Sequence, residues 1–201
     1  MEEANNKAVE PEKKEPFEKT ILMYLHDLIH MLAFVMLVLM LLFRMVVVSG
    51  SSMYNTLVDG DWLLLLSSTI YTEPEYGDIV VACKESFRGG EPIVKRVIAT
   101  EGQTVDIDFA RGIVYVDGVA LEEDYIYSMT TNAPGMQFPL TVDPGCVFVM
   151  GDNRRDSMDS RHPTIGLVDT REILGKALFL ILPGTDGGDN ERDFDRIGAL
   201  N

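Results

Sequence analysis

Three serines crowd a single glycine in VVVSGSSMYNTL, where Ser49, Ser51 and Ser52 surround Gly50. Such a stretch suits a flexible tether. It equally suits a nucleophile on a turn, because a serine hydroxyl beside a suitable base can attack a carbonyl. Histidine is the common base, but beyond Arg44 the chain has one, His162 in DSRHPTIG, and a loop role beside Pro163 is the simpler reading. Lysine can serve instead where burial disfavours its ammonium form and draws its pKa down from about 10.4. Lys95 lies inside the apolar run PIVKRVIA, whereas Lys84 ends VVACK and Lys176, in LGKALF, suits a snorkelling edge position.

A further polar concentration, GDNRRDSMDSR, follows the apolar run VFVM and packs three acids, three arginines and two serines into eleven residues. A calcium loop would need glycine at its sixth position and glutamate at its twelfth, and counting from Asp152 neither is present. The composition suits either a solvated turn or a buried network of charge-assisted hydrogen bonds. Cys83 and Cys146 sit in apolar contexts without CxxC or Cys/His spacing, so neither a metal site nor a cofactor is expected. The two cysteines permit a disulfide or two buried thiols.

The elements that must position these groups are mainly strands. Beyond Arg44 short apolar blocks alternate with turn residues, predicting strands at 45–48, 62–67, 78–83, 93–100, 104–108, 113–116, 119–121 and 147–150. Period-2 alternation sets Ile93, Lys95 and Val97 on one face of their strand and Val94, Arg96 and Ile98 on the other. Asp117-Gly118 marks a two-residue hairpin, whose type I′ turn needs positive φ at both positions. Residues 102–144 form the one region where a small lobe can be inserted, and the last fifteen or so residues read as peripheral.

Before the strands, thirteen uninterrupted apolar residues run from Met31 to Phe43. With the apolar approach from Leu22 this is enough for one membrane-spanning helix, at roughly 20 residues per bilayer. His26 and His30, one turn apart, read as interfacial polar residues. Residues 1–21 form a charged, apolar-poor arm expected to be disordered. That side carries Lys7, Lys13, Lys14 and Lys19 while residues 49–68 carry no Lys or Arg. The asymmetry predicts a cytoplasmic arm, a helix over residues 22–44 and an extracytoplasmic domain over residues 45–201. The formal charge of -15 argues against nucleic acid as a partner.

Taken together, SGSSMYNTL, YGDIVVAC, IVKRVIATEG and VFVMGDNRRDSMDSRHPTIG with ILGKA, in this order after one anchor, resemble the bacterial type I signal peptidases, and in detail their Gram-positive-like branch. The resemblance implies an antiparallel, barrel-like β catalytic domain with a small inserted β cap. It implies a membrane-bound Ser-Lys endopeptidase acting on the signal peptides of preproteins, in the company of the lipid bilayer and the secretion translocon. By motif position the nucleophile is Ser52 and the general base Lys95. Ser157 then orients the lysine, Asp159 and Arg161 form a supporting pair, and Gly50 stands where some members have a serine that donates to the oxyanion. Val48, Met53 and Val94 are expected to border the bound peptide. Asn55 replaces the proline of the family's SMxPTL box, and a retained turn is expected there. The same fold with weakened activity would leave an anchored binding protein. A self-cleaving repressor of the related Ser-Lys class fits poorly, since that class normally lacks an anchor and needs a DNA-binding module, whereas the arm is about twenty residues expected to be disordered.

Overall fold

The computed structural model describes residues 17–185 and 191–200. The chain divides near Met40 into a helical unit and a β unit. The helix, α1, runs Phe17–Leu42. It begins five residues before the expected span, so the arm's closing residues are already helical, and residues 1–16 lie outside the described residues. Within it Lys19–Leu42 is long and apolar enough to cross a bilayer, about 36 Å at 1.5 Å per residue. Its large apolar side chains, such as Leu22, Phe34 and Met40, are exposed.

The β unit starts directly with β1 (Phe43–Val47) and continues with β2 (Trp62–Ser67), β3 (Ile79–Cys83), β4 (Pro92–Ala99), β5 (Thr104–Asp108) and β6 (Ile113–Val116). Then come β7 (Val119–Ala120), β8 (Leu140–Thr141), β9 (Cys146–Met150), β10 (Val168–Asp169), β11 (Ile173–Leu182) and β12 (Gly198–Ala199). All pairings are antiparallel. The larger sheet runs β1-β2-β11-β3-β4-β9-β10 with β12 on β11, and the smaller runs β7-β6-β5-β8. In the chain the smaller sheet lies between β4 and β9. It packs there through Val105, Ile107 and Val114 against Ile98, Phe148 and Met150. The hairpin at Asp117-Gly118 has φ of 52° and 79°, the left-handed pair that a type I′ turn requires.

Four strands lie outside the expected set, the two-residue β8 and β10 and two that shape the larger sheet, β11 and β12. LGKALFLIL is a central strand, β11, bonded to β2 on one side and β3 on the other. Its register shifts at three places, and such bulges erase the period-2 signature by which strands are read. The segment 191–200 is also integrated into the sheet, not peripheral, since β12 pairs Phe179 with Ala199 and Leu200 packs on the cluster formed by Val48, Met53 and Leu57. Cys83 and Cys146 are free thiols.

Candidate active site

Ser52 stands at the start of a turn that leaves β1. Tyr54 N–H donates to Ser51 O at 3.0 Å and Leu57 N–H to Met53 O at 2.9 Å, so the turn is kept with Asn55 in place of proline. Two buried side chains hold it from below. Met53, expected to border a bound peptide, is 1% exposed and packs with Leu57, Val48 and Val94 in the core; its role is to anchor the turn. A methionine between a polar turn and an apolar strand cannot be assigned inward or outward by pattern alone. Gly50 N–H donates to Asp59 Oδ1 at 2.7 Å and Ser51 Oγ to Asp156 Oδ2 at 2.6 Å. Gly50 N–H is therefore engaged within its own loop, and Ser51 Oγ with the turn that follows β9.

Lys95 reaches this turn from the middle of β4. Its Nζ donates to Ser52 Oγ at 2.7 Å and to Val94 O at 2.9 Å, and the residue is 4% exposed. Burial pushes the Lys95 ammonium down to about 8, with Arg161 acting in the same direction and Asp159 and Asp152 opposing. The other two lysines are neutralised differently. Lys84 pairs with Glu172 at 3.2 Å and Lys176 with Asp78. Lys95 has a hydroxyl and a carbonyl as its hydrogen-bond acceptors, neither of which carries a charge.

The turn after β9 locks against the serine turn from the other side. Asn153 N–H donates to Ser52 O at 3.0 Å and its side-chain amide to Ser51 O at 3.2 Å. Asp152 is clamped two-point by Arg96, Nε to Oδ1 at 3.0 Å and Nη2 to Oδ2 at 2.9 Å, and also accepts from Thr56 Oγ1 at 2.6 Å. Arg96 and Lys95, adjacent on β4 and pointing to opposite faces, thus hold two sides of one site. Arg154 donates from Nε to Gly151 O at 3.1 Å and pairs with Glu123, while the Tyr125 ring stacks 4.1 Å from the Arg96 guanidinium carbon. Glu123 and Tyr125 come from the chain between β7 and β8, so this segment braces the turn. No pattern in EEDYIY distinguishes them from surface residues, and Asn153 was legible only as part of a dense polar cluster.

Asp159 and Arg161 form a buried pair, Nε to Oδ1 at 2.8 Å and Nη2 to Oδ2 at 2.7 Å. Burial alone would raise the Asp159 pKa, but the Arg161 bonds and charge, with Gly151 N–H at 3.0 Å, hold it below the usual carboxylate range. The Ser157 hydroxyl is near enough to help electrostatically yet outside hydrogen-bond geometry. Among the described residues Ser157 Oγ and Arg161 Nη1 are buried and without a hydrogen-bond partner. The bond expected from Ser157 to Lys95 is therefore not formed, although both side chains line one cleft.

That cleft, of about 700 Å³, is bordered by Val46, Val48, Ile93 and Val94 on its apolar side and by Ser52, Lys95, Ser157 and His162 on its polar side. His162 Nδ1 accepts from Thr164 N–H at 3.1 Å, a loop contact. The ladder between β4 and β9 begins only at Arg96, which leaves residues 92–95 of β4 unpaired on the cleft side. A hydroxyl bonded to a buried amine with a depressed pKa, beside an unpaired strand edge, can perform acyl transfer on an extended chain.

Residues 21–182 match the family described as signal peptidase, peptidase S26. The chain is 38% identical over 170 residues to a probable signal peptidase I-1 of Synechocystis sp., covering 78% of this chain and 83% of that protein. It is 36% identical over 162 residues to a signal peptidase I of Bacillus amyloliquefaciens, covering 77% and 81% respectively. Among solved structures it is similar to a signal peptidase I from Enterococcus faecalis V583, with 31% identity and a TM-score of 0.43 over 52% of this chain and 97% of that one.

Proposed function

The chain belongs to the signal peptidase family, peptidase S26, and from that premise we propose that it is a membrane-anchored serine endopeptidase removing signal peptides by a Ser-Lys mechanism. The observation that carries the reading is the 2.7 Å contact from buried Lys95 Nζ to Ser52 Oγ. Neutral Lys95 takes the Ser52 proton as Oγ attacks the carbonyl at the cleavage point. It then returns the proton to the leaving amine, and water activated by the same lysine releases the acyl-enzyme. The Ser52 backbone N–H serves as an oxyanion donor, a type of contact worth about 3 kcal/mol. Arg161 and Asp159 fix the electrostatic frame, the cation disfavouring a second positive charge on Lys95.

The preprotein lies as an extended strand in the cleft against the open edge of β4, its small side chains facing Val48 and Val94. With α1 across the membrane and the arm cytoplasmic, the β unit works on the extracytoplasmic side, where a substrate itself held in the bilayer or emerging from the translocon is within reach. The lack of basic residues over 49–68 supports that orientation.

Purified full-length protein in detergent is expected to cleave a preprotein after a small residue, with kcat/KM rising about tenfold per pH unit up to a midpoint near 8 and levelling above it. The sign follows from the base being active when neutral. Failure to cleave, or a rate flat from pH 6 to 9, overturns the reading. Ser157→Ala is expected to lower kcat about tenfold through loss of one hydroxyl able to steer Lys95 during turnover, with KM unchanged. Steady-state kinetics at pH 9 measures this.

A further inference from the structure

The serine turn is gripped at both ends, and the second grip draws on Gly184 and Arg196, beyond residues 21–182. Its entry is fixed by Asn153 on Ser51 and Ser52. Its exit is fixed by Asp61, which is fully buried and accepts from Val58 N–H at 2.8 Å and Gly184 N–H at 2.6 Å. Asp61 O also accepts from Val48 N–H at 2.8 Å, so one residue ties the end of β1, the end of the turn and the end of β11. Arg196 joins this carboxylate in a two-point pair, Nη1 to Oδ1 at 3.0 Å and Nη2 to Oδ2 at 2.7 Å. Its Nη2 also reaches Thr56 O, inside the turn, at 3.3 Å.

We infer that Arg196 is a positioning residue for the nucleophile, acting on Ser52 through Asp61 and Thr56. A buried carboxylate without its cation is costly, and it relaxes by admitting water or shifting the groups bonded to it. Here those groups are the amide of Val58 and the backbone of the turn. Thr56 lies four positions after Ser52, and the next residue after each, Leu57 and Met53, packs in the core as a lever. The planar guanidinium meets the two carboxylate oxygens and the carbonyl from two nitrogens in a rigid fork, a geometry that the single nitrogen of an ammonium does not reproduce. The segment 191–200 is held for this task by the β12 ladder and by Leu200 N–H on Leu178 O at 3.0 Å.

The inference rests on the proteolytic reading, and the unchanged protein's cleavage of the same preprotein tests that reading separately. The comparison that tests Arg196 is between the unchanged chain, Arg196→Met and Arg196→Lys, all full-length in detergent, at a temperature where each is folded by near-ultraviolet circular dichroism. Arg196→Met is expected to lower kcat about tenfold with KM within twofold and the pH midpoint unmoved, a partial version of the about 10²-fold cost of a 1 Å misplacement. Amide exchange at Val58 should quicken while that of β4 and β9 stays as before. Arg196→Lys should recover most of the melting temperature but not kcat. A kcat within twofold of the parent for Arg196→Met, or full recovery of both quantities by lysine, would overturn the proposal and leave Arg196 as a structural ion pair.

Discussion

Lys95→Met is expected to be inactive and, at neutral pH, more stable than its parent. Methionine keeps the length and apolar character of the side chain but has no proton acceptor, so the contact to Ser52 Oγ at 2.7 Å is lost. A general base alone contributes about 10²–10⁴-fold. Ser52→Ala removes the nucleophile itself, and since the two act as one unit, the double variant should be no worse than either single one. The stability half of the prediction separates a catalytic lysine from a structural one. The Lys95 pKa is lowered from 10.5 to about 8, so below pH 8 both the folded and unfolded chains hold the proton and the folded chain bears the full cost of the buried ammonium. Between about 8 and 10.5 the unfolded chain holds more protons, and stability rises with pH. The cost relieved is about 3 kcal/mol at pH 7. Denaturant unfolding of Lys95→Met against the parent should show this gain at pH 7 and little of it by pH 10.5. A destabilised Lys95→Met at pH 7 would sink the argument.

Such a trade explains which parts of the site could be read from the sequence. Lys95 stood out because a cation inside PIVKRVIA contradicts its surroundings, and the same contradiction is the source of its depressed pKa. Ser52 among three serines was chosen by motif position, and its neighbours are now accounted for by Gly50 N–H on Asp59 and Ser51 Oγ on Asp156. The composition of GDNRRDSMDSR suits a solvated turn or a buried network, and the burial of Arg154, Asp159 and Arg161 decides for the network. What did not show was pairing across long stretches of chain. Arg96 with Asp152, Arg154 with Glu123 and Arg196 with Asp61 are separated by 56, 31 and 135 residues. Taken alone, Glu123, Asp61 and Arg196 look like ordinary surface charges, and nothing local names the partners of Arg96 and Arg154. A short apolar block bounded by turn residues, WLLLLS, and an alternating one, TVDID, fall where expected, at Trp62–Ser67 and Thr104–Asp108. β11 did not, because its alternation is broken by bulges; a strand bonded on both sides needs only to be apolar.

Gly151→Ala is a small substitution expected to cost the site most of its activity. Gly151 has no positive φ to protect, so the constraint is space alone. A Cβ built there would lie 2.3 Å from Ser157 Oγ, 2.7 Å from Ser157 Cβ and 2.4 Å from Ser52 O. The first two contacts belong to one side chain. The third is backbone of the nucleophile itself, which cannot rotate away and is tied by Asn153 N–H at 3.0 Å. Relief must therefore come from separating the β9 turn from the serine turn, which draws Ser52 away from Lys95. Overpacking of this kind costs about 1–3 kcal/mol, and a shift approaching 1 Å at the nucleophile lowers kcat about 10²-fold. The double variant Gly151→Ala/Ser157→Gly divides the two effects. It removes both clashes with residue 157 and leaves the one with Ser52 O, so it should regain much of the stability lost by Gly151→Ala yet remain far below Ser157→Gly alone in kcat. Melting temperatures and single-turnover cleavage of a preprotein provide the two readings. If the double variant cleaves as fast as Ser157→Gly alone, the Ser52 backbone is not fixed against Gly151, and the contact between the two turns does not set the nucleophile's position.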